Sequence, residues 1–162
     1  VVLVLAPATC DRAAAVVTAV PAAAARPAAP IVWDDRIELV GWSVPATATR
    51  GEVVEIAAYF RVRAPLERAW KVFLHIDGPD WRVNGDHAPA GGRCPTSTWQ
   101  AGDLVVDRFA VTIHPDAPDG RFVVWVGFFA GWAPDWVNLD VSTAPAAARD
   151  RHRIRLAELV VR

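Results

Sequence analysis

From residue 31 onward the chain is written in short runs of alternating apolar and polar residues, each closed by Gly, Pro, Asn or Asp. Successive side chains of an extended strand point to opposite faces, so alternation at period two buries one face and wets the other. Gly51 to Arg63 carries Val54, Ile56, Ala58, Phe60 and Val62 on one side, against Glu55, Tyr59, Arg61 and Arg63 on the other. Trp70 to Asp77 sets Trp70, Val72, Leu74 and Ile76 opposite Lys71, Phe73 and His75. Arg36–Val44, Trp81–Asn84, Leu104–Ile113, Trp136–Val141 and Ile154–Val161 add further strands. Phe122–Gly131 is apolar almost throughout, as expected of a central strand covered on both faces. Residues 85–103 are Gly- and Pro-rich and read as a long ordered loop, and no stretch has a convincing helical period. About eight strands with regular turn punctuation predict an all-β fold, an antiparallel β-sandwich of Ig-like or jelly-roll-like form.

Composition narrows the functional classes. The 162 residues hold 17 basic and 18 acidic side chains, a formal net charge of −1, where a nucleic-acid binder would show a strongly basic face. No apolar run approaches the roughly 18–20 residues that cross a bilayer. The absence of Met, even at position 1, is expected of a processed form, a fragment or a non-standard start.

Residues 1–30 differ from the rest and are predicted to stand apart from a sandwich domain at 31–162. The apolar run Val1–Ala6 precedes Ala-rich stretches broken by Pro21, Pro27 and Pro30. It reads either as a truncated export signal or as the outer end of a membrane helix, in both cases leading into a disordered Ala/Pro spacer. Both readings place the sandwich outside the cytoplasm, in the periplasm or cell envelope, and the N-terminal segment is a possible membrane tether. Cys10 suits lipid attachment poorly, because Pro7 and Thr9 stand where such signals carry Leu and a small residue. With only Cys10 and Cys94 present, spacing gives no disulfide framework.

The middle of the chain carries a specific resemblance. Val72-Phe73-Leu74-His75-Ile76-Asp77, Asn84-Gly85-Asp86-His87, Pro95-Thr96-Ser97 with Trp99 and Gly102-Asp103, the turn Pro115–Gly120, and Val126-Gly127-Phe128-Phe129 form the series. Over about residues 35–162 it resembles an Ig-like or jelly-roll-like module of bacterial envelope proteins. Such modules follow the membrane helices of glycosyltransferase-like proteins or are exported alone. The resemblance implies placement and architecture and transfers no catalytic residue. Phe122 departs from the module, which often has Tyr after this turn.

Three constellations bear on chemistry. His75, Asp77, Asp80, Asn84, Asp86 and His87 crowd one hairpin, but they lack the order of a Ca²⁺ loop and the tight His/Cys spacing of a Zn²⁺ site. Their simplest reading is turn capping, so no metal and no cofactor is predicted. Among the eight Trp residues, Trp70 and Trp125 lie within apolar strands, whereas Trp81, Trp99, Trp132 and Trp136 sit at strand ends or in loops beside polar groups. An indole platform with oriented polar neighbours is what a sugar ring requires, so Trp81, Asp86, His87, Trp99 and Trp132 are the candidate ligand-binding residues. Arg149, Arg151, Arg153 and Arg155 alternate into a basic edge, and Asp107 is expected to face solvent or pair with a neighbouring Arg. There is no nucleophile elbow or phosphate loop. The sequence therefore predicts a non-catalytic module that binds envelope glycans, or alternatively a structural domain that docks onto an envelope protein through a sheet face.

Overall fold

A computed structural model describes residues 8–162. After the short helix α1 (Arg12–Ala15), the first strands are β1 (Val32–Trp33), β2 (Ile37–Ser43), β3 (Thr47–Ala48), β4 (Val53–Val62), β5 (Lys71–Gly78) and β6 (Trp81–Asn84). Then come β7 (Leu104–Thr112), β8 (Gly120–Ala130), β9 (Val137–Asn138), β10 (Val141–Thr143), β11 (Arg149–Asp150) and β12 (Arg153–Val161). One sheet has the order β10-β1-β2-β4-β7, and the other runs β11-β12-β8-β5-β6, with β3 on β12 and β9 on β8. Pairing is antiparallel except between β3 and β12. The fold is an all-β sandwich, as the alternation requires.

The inward positions are those the period picks out. Val54, Ile56, Ala58, Phe60 and Val62 of β4 face Val72, Leu74 and Ile76 of β5 and Phe122, Val124, Val126 and Phe128 of β8 in one core. Its centre is aromatic. Phe128 packs edge-on against Trp33 at 5.3 Å and Phe60 at 5.1 Å, and Trp99 stacks on Phe60 at 6.2 Å. Edge-to-face contacts at these separations match the ring quadrupoles and add to the burial energy.

Two expectations about covering are revised. The alternate positions of β8, Val123, Trp125 and Phe129, are only half-buried, so this strand is covered on one face alone. Conversely, part of the outer face of the five-stranded sheet is covered. Residues 8–30, expected to be a disordered spacer, lie along that face as a strap. The Val17 amide donates to the Leu104 carbonyl at 2.9 Å, and Ala25 and Trp42 exchange backbone hydrogen bonds at 2.8 and 3.0 Å. Ala24 packs with Ala57, Tyr59, Leu104 and Val106, with Val17, Val20 and Val40 at the margin. Small side chains let the strap sit this close, and Gly41 has no room for a Cβ beneath Val20 and the Ala25 carbonyl. A disulfide joins Cys10 to Cys94, and Arg12 pairs with Asp103. The Arg12 guanidinium holds the Asp103 carboxyl below its usual range, against the opposing effect of burial. The apolar run Val1–Ala6 lies outside the described residues. Among those described, no helix is long and apolar enough to cross a membrane.

A candidate ligand cleft on the outer sheet face

The outward side chains of β5 and β8 form the floor of a cleft of about 460 Å³. Phe73 and His75 come from β5 and Phe129 from β8, with the Phe73 ring lying across the bare backbone of Gly127. A Cβ at Gly127 would collide with that ring and with the His152 carbonyl. His75 stacks on Phe73 at 5.1 Å, and its Nε2 stands 3.5 Å from Asp86. The hairpin between β8 and β9 brings Trp136, 59% exposed, and Asn138 to one side. Arg82 and Asp86 close another side, and residues 150–153 at the β11–β12 turn close the third.

Ion pairs fix the walls. Asp77 receives two hydrogen bonds from Arg82, at 2.6 and 2.9 Å, and one from Arg153 at 2.8 Å. Arg153 also reaches Asp150 at 2.7 Å and lies over the Trp125 ring at 4.3 Å. Burial alone would raise the Asp77 pKa, but the two guanidiniums outweigh it and hold it below the ordinary value. The expected basic edge is thus half neutralised: Arg153 turns into the cleft wall and Arg155 pairs with Glu158, while Arg149 donates to the Arg151 carbonyl.

The sequence candidates fall in different places. Asp86 lines the cleft. Trp132, 78% exposed, stands beside it, with the Lys71 ammonium 3.9 Å from its ring centre and 5.9 Å from that of Phe129. Trp99 is only 2% exposed and donates its indole N–H to the Cys94 carbonyl at 3.0 Å. It therefore has no face to offer a ligand, because the 85–103 loop folds it into the core. Trp81 is half-buried against the same core, with its ring 5.7 Å from that of His114, away from the cleft. His87 is turned inward to Asp107, and Asp107 is buried rather than at the surface.

Phe73, Phe129, Trp136, Asn138, Arg82 and Arg151 were missed. A signal for the floor is present in Trp125-x-Gly127-x-Phe129, outward aromatics flanking a residue with no side chain, but the near-continuous apolar run of this strand masks it by predicting cover on both faces. The polar hairpin cluster does not converge. Asp77 faces arginines, His75 faces Asp86 and His87 faces Asp107. Among the described residues no group of three or more His, Cys, Asp or Glu is placed to hold a metal ion.

No family model matches the chain, and no curated protein does. Among solved structures, the C-terminal domain of Wzt is similar with a TM-score of 0.52 at 16% identity, over 85% of this chain and 80% of that one. The likeness is one of fold.

Proposed function

We propose that this is a non-catalytic, extracytoplasmic β-sandwich module that binds envelope glycans in the outer-face cleft. The observation that carries the reading is the cleft's make-up, an aromatic floor of Phe73 and Phe129 beside exposed Trp136, rimmed by Asp86, Asn138, Asp150 and Arg151. An apolar sugar face stacks on such rings while its hydroxyls meet acceptors and donors around the edge. The Cys10–Cys94 disulfide supports the location, because disulfides persist in oxidising compartments. The sandwich fold itself is shared with the Wzt C-terminal domain. The alternative, docking of a partner protein through a sheet face, has less surface to use, since the strap covers the part of the outer face of the five-stranded sheet around Ala57, Tyr59, Leu104 and Val106.

A glycan-array screen of the full chain, with Trp136→Ala beside it, tests the proposal. The expected result is binding by the parent that Trp136→Ala loses by tenfold or more while melting unchanged. A folded parent silent across the array, or a hit indifferent to Trp136→Ala, overturns it.

A further inference from the structure

The inward turn of His87 gives it a different task from touching ligand. Its Nδ1 lies 2.6 Å from the Gly85 carbonyl and its Nε2 lies 2.7 Å from Asp107 Oδ2. A carbonyl and a carboxylate both accept and neither donates, so both ring nitrogens must carry a proton for both bonds to form. The ring is stacked on Phe109 at 4.3 Å with an interplanar angle of 4°. Phe109 also fills the space where Gly85 lacks a Cβ. The second oxygen of Asp107 accepts the Ala90 amide at 2.9 Å. Ala90 sits at φ 53°, a left-handed backbone that a non-glycine residue adopts only when its surroundings hold it there.

We propose that the His87 imidazolium and Asp107 form a proton-dependent latch that holds the 85–92 loop on β7, and with it Asp86 at the rim of the cleft. His87 and Asp107 are positioning residues, acting on ligand only through Asp86. The charged groups facing the ring are Asp107 from β7 and Asp86 from its own loop; β5 meets it through the Val72 backbone, and His75 stands beyond Asp86. Burial works against the charged ring, but Asp107, the Gly85 carbonyl and Asp86 together raise its pKa above the ordinary value. The latch is therefore closed below that raised value and opens as pH rises through it. Deprotonation leaves one acceptor facing a lone pair and frees the strained Ala90 turn. The consequence for ligand rests on the glycan reading; the latch itself does not.

The test is an imidazole ¹⁵N titration of the full chain between pH 5 and 9, with amide exchange followed in parallel. At the acid end of the titration both His87 nitrogens are expected to be protonated, with deprotonation centred above the ordinary imidazole value. Protection factors at Asp86 and Ala90, which discount the intrinsic base catalysis of amide exchange, should then fall tenfold or more through the same midpoint. Asp107→Asn should move that midpoint down, while His75→Gln leaves it in place. A His87 whose midpoint is not above the ordinary imidazole value, or loop exchange that ignores its titration, overturns the latch; both are read on the unaltered protein, whether or not Asp107→Asn folds. Where the array yields a ligand, its affinity should fall over the same pH interval. A chain that binds no glycan but shows the coupled titration removes the glycan reading and leaves the latch standing.

Discussion

Replacing Cys10 and Cys94 together by Ser tests how the strap is held. The bridge joins residues 84 apart in sequence. Closing a loop of that length removes enough freedom from the unfolded chain to be worth about 4.5 kcal/mol at 25 °C on the chain-entropy estimate. Against a typical total of about 5–15 kcal/mol this is a large fraction. In a chain of this size it corresponds to roughly 9–18 °C in melting temperature. The native contacts of the strap do not depend on the sulfurs alone. Arg12 still faces Asp103, the Val17 amide still meets Leu104, and Ala24 still rests on Tyr59. The variant is thus expected to keep the sandwich and lose stability in guanidinium denaturation, with an unchanged slope or a slightly larger one. Amide exchange at Val17 and Ala25 should rise more than exchange at inward β8 positions such as Val124. A loss below about 1 kcal/mol, with free thiols in the untreated parent, would refute the reasoning and detach the strap from the sheet.

Other expectations follow from packing and charge. Trp99→Ala should cost about 3–5 kcal/mol in chemical denaturation, because it empties part of the aromatic core; Trp136→Ala should stay within about 0.5 kcal/mol, since its side chain is largely in water. Gly127→Ala should destabilise by about 1–3 kcal/mol and shift the Phe73 ring resonances, as the added methyl displaces that ring from the cleft floor. The lowered pKa of Asp77 means that its stabilisation is present above the ordinary carboxylate value and is lost as pH falls through the lowered one. Asp77→Asn should accordingly cost about 1.5–3 kcal/mol at neutral pH and flatten the loss of stability below pH 4 in melting curves.

Much of the sandwich was legible because burial and period coincide. Along β4 and β5 every inward residue falls where alternation puts it, and the Gly and Pro clusters mark the turns. The strap was not legible, since Ala and Pro report low side-chain volume and say nothing of whether a sheet lies beneath. Tyr59, assigned to a wet face, is buried by residues some forty positions earlier, a relation that no local pattern carries. The site was half legible. Asp86 and Trp132 reach the cleft or its margin, yet composition alone could not separate an indole folded under a loop, as Trp99 is, from one standing free, as Trp136 is. Asp107 shows the same limit: its neighbours Val106 and Arg108 suggested a surface residue, but the alternation of β7 points it inward between Val105 and Phe109, where His87 satisfies it.

The proposed ligand site is the cleft between β5, β8 and the β11–β12 turn. An indole N–H spectrum of the eight Trp residues, recorded as the array-selected glycan is added, tests it most directly. The expected result is a saturable shift of Trp136, with Trp33 and Trp99 in the core unmoved. Shifts confined to Trp81 or Trp42, with Trp136 unchanged at saturation, would contradict it and place any binding elsewhere on the sandwich.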